Sequence, residues 1–455
     1  MALCDQVIRF ALYGMMFFLP IGPAWVESLT AFVILPYYIK RGILAYQTIQ
    51  NSKTPLSLFA KIKIYLTSHI PQANPLRRPM GFFVLICFLS VIFSQYPHQS
   101  WSGFFGKLLQ AVYIYFGVIE TMNKRCHFQK AIGLFLLSSI VVNVSGVCQM
   151  VVGRGFIRGH LAGADGRIIS SFDQANDYGG YLIMVVLMLL ALLLGSFEKS
   201  LESKPKSGCL DKCFDLERIP VMLAILGILI LAVFCLGYTF SRGAWVGVFL
   251  GCLYLSWQYR RVFYVPIVFV LLFAFVFGPK LVSKRNVSLI SDNVRVSSTS
   301  APEKESLLLV VQELKSFSGM GRRMFWQEAI NIIKDYPVLG TGLNTYAKVA
   351  PKYKINWGGY AHNCYLQMAA EIGLLGLGIF IWIMTALYWG AGRAIAMTED
   401  PFYRAVLTGG LAGLTGLFFQ SFVDTDFYTI QLGNLLWLMM GWVLALGNLI
   451  LRDRS

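Results

Sequence analysis

Residues 181–195 read "YLIMVVLMLLALLLG". The run carries no charge and no helix breaker before its final glycine. With its flanks, near 178–196, it is long enough to cross the roughly 30 Å hydrocarbon core of a bilayer as a helix. Working outward, comparable runs lie near 6–22, 26–44, 79–95, 100–119, 130–152, 219–237, 243–257, 262–278, 364–390, 403–423 and 428–450. The chain is therefore expected to be an all-α, polytopic integral membrane protein with about twelve transmembrane helices. Composition agrees, with 56% hydrophobic and 14% charged residues. The net charge of +16 is then a matter of loop topology and membrane lipid, and no nucleic-acid partner is expected. The nine cysteines are scattered. Cys209 and Cys213 fall in an expected cytoplasmic loop, and no pair has the spacing of a disulfide or zinc framework. The first apolar run lacks a small-residue cleavage site and leads into a second, so it reads as a retained helix.

Lysine and arginine placement orients the spans. Lys40, Arg41, Lys53, Lys61, Lys63, Arg77 and Arg78 follow the second span, and Lys124, Arg125 and Lys130 follow the fourth. Lys199, Lys204, Lys206, Lys212 and Arg218 follow the sixth, Arg260 and Arg261 the eighth, and Arg393 and Arg404 flank the loop after the tenth. Arg452 and Arg454 close the chain. All share one face, expected to be cytoplasmic, with both termini on it. The expected organisation is N-terminal spans over 1–164, central spans over 165–278, a large outer loop over 279–361 and C-terminal spans over 362–455. Within the outer loop, "SDNVRVSSTSAPEKES" is polar, and "EKESLLLVVQELKSF" and "MFWQEAINIIKDYP" have helical patterns. The second puts Trp326, Ile330 and Ile333 on one stripe and stops before Pro337.

Outer-face arginines run against the positive-inside trend. Arg154, Arg158 and Arg167 lie in "GRGFIRGHLAGADGRIISSF", Arg242 in "GYTFSRGAWVG", and Arg322 and Arg323 in "GMGRRMFW". Ionisable groups near membrane depth usually face a polar cavity with a function. The planar fork of arginine matches phosphate oxygens, so converging arginines suggest a lipid diphosphate. Snorkelling to head groups is the favoured account of Arg154 and Arg158. Arg242 differs, because it heads a helix whose N-terminus adds to an anion site. Gly243, Gly247 and Gly251 below it permit close helix approach.

His362 and Asn363 open "HNCYLQMAAEIGLLGLG" on the same face. The histidine can take a proton from an attacking hydroxyl or simply sit at a helix start. Asn363 suits a helix cap, and Glu371 either orients the histidine's neighbourhood or satisfies backbone. "DTD" at 424–426 resembles a metal-holding acidic pair, but no further carboxylates join it. It reads as an outer turn with solvated carboxylates, and no metal is expected. "GTG" at 340–342 reads as a turn after the helix that ends at Pro337. Lys107, inside the fourth span, either snorkels or lines a cavity.

"TFSRGAWVG", "GRRMFWQEAINIIKDYPVLGTGLNTY" and "AHNCYLQMAAEIGLLGLG", in that order, resemble the successive motifs of the O-antigen ligase and O-antigen polymerase superfamily. "SFDQANDYGGYL" resembles its upstream segment, with Asn176 at the matching asparagine. The similarity covers about residues 165–445. It implies a GT-C-like glycosyltransferase at the outer face of the bacterial inner membrane. The implied enzyme moves a glycan from undecaprenyl diphosphate to an acceptor, with inversion and without nucleotide sugar, cofactor or metal. Carried over by motif, Arg242 and Arg322 would hold the diphosphate and His362 would activate the acceptor hydroxyl. Arg322 matches the spacing to Trp326, although the doubled Arg323 leaves that choice open. Arg167, Asn176 and Asn363 join the expected substrate-binding set.

A ligase acting on a lipid A–core acceptor is the first expectation, on modest length and on the large helical loop late in the chain. A polymerase joining lipid-linked repeat units is second. A protein O-oligosaccharyltransferase is third, since such relatives often carry a longer outer C-terminal region. A lipid or glycan transporter would instead place ionisable residues near the midplane on paired, broken helices.

Overall fold

The computed structural model describes residues 1–52, 57–68, 70–71, 75–163, 166–201, 219–259, 319–353 and 359–453. The regular structure among these is helical, apart from one isolated bridge between Arg154 and Leu161. The helices are α1 (Ala2–Phe18), α2 (Pro23–Gln50), α3 (Leu58–Ser68), α4 (Arg77–Ile92), α5 (Pro97–Thr121), α6 (Arg125–Val152) and α7 (Ala175–Leu201). They continue with α8 (Ile219–Tyr238), α9 (Arg242–Gln258), α10 (Gly319–Asp335), α11 (Cys364–Met397), α12 (Pro401–Gln420) and α13 (Ile430–Asp453). Every expected span but one falls on one of these helices. The exception, 262–278, lies outside the described residues, as do the helical pattern "EKESLLLVVQELKSF", Cys209 and Cys213. Among the described residues, 7 helices have the length and apolarity to cross a membrane: α5, α6, α7, α8, α11, α12 and α13.

Local chemistry explains the boundaries. Asp400 caps α12 by accepting from the Phe402 and Tyr403 amides, and Pro401 fills the first helical position, where an N–H would have no partner. Gly153, with φ of +80°, ends α6 in the left-handed conformation that glycine adopts without strain. α10 stops at Asp335, two residues short of Pro337, as its sequence predicts.

Helices α7 and α9 both pack against α12. A Cβ on Gly247 of α9 would lie 2.7 Å from the Gly416 carbonyl oxygen of α12. One on Gly251 would lie 2.9 Å from the Ala412 carbonyl oxygen. Small residues thus let two backbones meet, which supplies packing where lipid offers no hydrophobic driving force. This turns the N-terminus of α9 toward the α12 end.

The packed face of α10 differs from the expected stripe. Ala329 and Ile332 are buried with Glu328, Ile333 packs beside them, and Ile330 is exposed. The face is chosen by the partner: Ala329 and Ile332 meet Tyr346, Ala361 and Ala370, and small side chains allow that approach. Helix α11 breaks at Gly373, with φ of +75°. The 337–342 turn fits into the break. Thr341 N–H donates to the Ala370 carbonyl at 3.0 Å, Gly342 N–H to that of Glu371 at 2.9 Å, and Leu374 N–H to that of Pro337 at 2.8 Å. Backbone groups freed inside the bundle are thereby paired again. A Cβ on Gly340 would sit 2.4 Å from the Glu371 oxygen, so the turn needs glycine there.

Candidate functional site

Five segments meet at the end of the bundle that the charge pattern assigns to the outside: 167–177, 239–242, 325–326, 361–364 and 420–426. Arg167 joins the first two. Its Nε donates to the Thr239 carbonyl at 2.7 Å and its Nη2 to Asn176 Oδ1 at 2.6 Å. Asn176 in turn offers its carbonyl to Gln420 Nε2 at 2.9 Å, and the same nitrogen donates to Asp426 Oδ1 at 3.1 Å. Arg167 and Asn176 are thus occupied as struts. They fix the turn before α9 against the start of α7 and the end of α12.

Arg242 is the first residue of α9, after Ser241, whose hydroxyl accepts from the Ala244 amide at 3.5 Å. The preceding Phe240 has φ of +48°, a costly conformation for a bulky residue. Gly243 lies against Val423, with 3.0 Å from a would-be Cβ to its Cγ2, so the arginine turn abuts the 420–426 segment. Arg242 is exposed, and Arg322 is partly so near the start of α10. Among the described residues neither has a carboxylate partner, nor does Arg323. Arg154 and Arg158 differ: the first donates to the Gly159 carbonyl at 3.0 Å, and the second pairs with Asp173 at 3.0 Å.

His362 has φ of +47°. Its neighbours hold it there. Asn363 Oδ1 accepts from the Tyr365 and Leu366 amides, both at 3.0 Å, which confirms the expected cap and uses that oxygen. Cys364 N–H donates to the Ser421 carbonyl at 2.8 Å. Trp326 Nε1 donates to the His362 carbonyl at 3.4 Å, and the Phe325 ring centroid lies 5.5 Å from the imidazole. Since Trp326 stands one helical turn after Arg322, α10 ties that arginine to the histidine.

The 424–426 turn corrects the sequence reading. Asp424 is 3% exposed and Asp426 fully buried, so these are not solvated carboxylates. Asp426 accepts from Gln420 and from the Ser421 hydroxyl at 2.9 Å. Burial, and then the adjacent Asp424, pushes its carboxyl well above the usual carboxylate range. Asp424 Oδ1 stands 3.9 Å from His362 Nδ1, an ion-pair separation rather than a hydrogen bond. A proton on Nδ1 would face this carboxyl and leave Nε2 as the accepting nitrogen. Asp177, buried in the first turn of α7, is within electrostatic reach of Asp424. Sequence reading missed Asp177, Gln420 and the partnership of Asp424 with His362. The motif strings containing all three carboxylates were visible, but only the fold brings them together. Among the described residues no group of three or more His, Cys, Asp or Glu side chains stands at metal-ligating spacing.

Glu371 serves backbone, one of its two expected roles. Its oxygens accept from the Asn344 amide at 2.8 Å and the Tyr346 amide at 3.2 Å. It anchors the turn that precedes the 346–349 helical segment, beneath α10.

Residues 227–381 match the family model described as O-antigen ligase. That span contains the Arg242 turn, α10 and the His362 cap. A further similarity, at 25% identity over 119 residues, is to the exopolysaccharide production protein ExoQ of Rhizobium meliloti (strain 1021). It covers 24% of this chain and 27% of that protein.

Proposed function

From an O-antigen ligase domain over residues 227–381 of a helical, multi-pass membrane chain, we propose a glycan transfer from undecaprenyl diphosphate to lipid A–core. The reaction takes place at the periplasmic face of the inner membrane, with both termini cytoplasmic and a GT-C-like arrangement of about twelve spans. One observation carries the reading. A histidine 3.9 Å from a buried carboxyl shares a bundle end with Arg242 and Arg322, which have no carboxylate partner among the described residues.

In this mechanism Arg242 and Arg322, with Arg323 beside them, hold the donor diphosphate. The N-terminus of α9 adds its dipole. His362 Nε2 takes the proton from the acceptor hydroxyl as its oxygen attacks the anomeric carbon. The bond from that carbon to the diphosphate oxygen breaks on the opposite side, inverting the centre. Negative charge grows on the leaving diphosphate, and fixed guanidinium groups lower the barrier there. Asp424 orients the imidazole and stabilises its cationic form. Arg167 and Asn176 position the Arg242 turn, and Asn363 positions His362. The arginines supply the positive charge that a metal supplies to other diphosphate leaving groups.

Deletion of the gene, with the host's lipopolysaccharide separated on a gel, tests this. Loss of the long ladder with lipid-linked polymer accumulating is expected. An unchanged ladder would remove the proposal for that glycan. The similarity to an exopolysaccharide production protein favours a second reading, in which the acceptor is another lipid-linked glycan and the product a longer chain. Cores bearing a single repeat after deletion would select that polymerase reading.

A further inference from the structure

Lys107 lies within α5, and the reactive pocket does not use it. The helix is locally π-helical over Phe104–Leu108, a deviation that often accompanies functional sites. Lys107 lines a cavity of about 520 Å³ between α2, α4, α5, α11 and α13. Phe83, Phe380 and Trp437 form much of its apolar wall. Lys107 Nζ donates to Asn344 Oδ1 at 3.0 Å, which uses one of its three donors. Glu371 reaches the same cavity and lies within electrostatic reach of Lys107, but its oxygens accept from the Asn344 and Tyr346 amides and it makes no ion pair with the lysine among the described residues. Glu27 of α2 also lines it, exposed, with no hydrogen bond or ion pair among the described residues. One cavity at membrane level therefore presents a cation and an anion that are not paired with each other.

The order of those charges matters. α2 and α5 both begin at the outer end. At 1.5 Å per residue, Glu27 lies roughly 6 Å and Lys107 roughly 15 Å along its helix from that end. Moving inward, the cavity offers a negative group, then a positive group, then apolar walls. A phospholipid whose head carries a primary ammonium has the complementary order: ammonium outermost, phosphate beneath it, then chains. The volume falls in the range of small-ligand sites and suits a head group with the upper part of its chains.

We propose that this cavity is a binding site for a zwitterionic aminophospholipid, with its phosphate on Lys107 and its ammonium on Glu27. The site is distinct from the reactive pocket. Phe427 and Tyr428 line the cavity, whereas Asp424 of the same turn faces His362. The inference does not rest on the proposed transfer, and its test reads lipid retention rather than activity.

Native mass spectrometry of the purified full chain, equilibrated in turn with phosphatidylethanolamine and phosphatidylglycerol, supplies that test. Wild type is expected to retain phosphatidylethanolamine at least tenfold over phosphatidylglycerol. Glu27→Gln and Lys107→Met each lower that retention at least tenfold, and Lys107→Arg keeps it. Glu27 is exposed, so its variant carries the test even where Lys107→Met is not recovered folded. Equal retention of both lipids would overturn the proposal, as would unchanged retention in Glu27→Gln. Release of the lipid by millimolar inorganic phosphate would also overturn it, by showing an anion site rather than an amphiphile site.

Discussion

Two sets of cations at opposite ends of the bundle are held differently. At the end assigned to the cytoplasm, Lys40 lies 2.5 Å from both Asp5 and Glu120, and Arg41 lies 2.5 Å from Glu120. Arg125 is paired with Asp400. At the other end Arg242, Arg322 and Arg323 have no carboxylate partner among the described residues, although Asp177, Asp424 and Asp426 are buried nearby. Asp424 faces His362, and Asp426 accepts from Gln420 and Ser421 instead. Paired cations tie helices together, whereas in the proposed function the cations without a carboxylate partner meet an anionic substrate.

The contrast breaks most readily on activity. Arg242→Ala, Arg322→Ala and His362→Ala are each expected to lower glycan transfer by about 100-fold or more while the amount of folded protein in membranes stays at the wild-type level. Loss of folded protein in these variants would mean that the outer cations are structural after all. The inner end should behave in reverse. Arg41→Ala leaves Glu120 with less compensation and is expected to cost about 3 kcal/mol of stability, read as lower folded yield with transfer per folded molecule unchanged. Gly247→Leu, which drives a side chain into the Gly416 backbone, is expected to reduce folded yield in the same way.

Smaller effects sharpen the comparison. Asp424→Asn keeps the shape of the turn and removes the negative charge that the imidazole faces. Transfer is expected to fall about tenfold, with the pH profile displaced as well as lowered. A uniform drop with an unmoved profile would make Asp424 a packing residue only. Glu328, in α10, has both carboxyl oxygens buried without a partner, and burial pushes its carboxyl up to about 7. A folded-state value above the unfolded one stabilises the protein below the unfolded value, and that contribution is lost as pH rises through about 7. The apparent melting temperature should therefore fall by about 2–4 °C between pH 5 and pH 8, and Glu328→Gln should flatten the dependence.

What could be read from the sequence follows the range of the interactions. The apolar helices among the described residues, the end of α10 before Pro337 and the Asn363 cap depend on neighbours in the chain, and these were legible. The glycine approach of α9 was legible because a repeated small residue on one helix face has few other uses in lipid. The burial of Asp424 and Asp426 was not, since it depends on Gln420, Cys364 and the start of α7 closing around the turn. The packed face of α10 was missed for a related reason. Periodicity ranked Ile330 above Ala329, but the close approach of Ala361 and Ala370 selects the smaller side chain. Lys107 stood out as a charge inside a span, yet only its contact with Asn344, far along the chain, places it on a cavity.

The proposed reaction pairs a histidine base on the acceptor hydroxyl with arginines that hold the donor. It is tested most directly by reconstituting purified protein with undecaprenyl-diphosphate-linked glycan and lipid A–core, and measuring transfer and donor binding together. His362→Ala is expected to bind the donor as wild type does and form almost no product, whereas Arg242→Ala should lose donor binding as well. Product formed by His362→Ala at the wild-type rate would contradict the account.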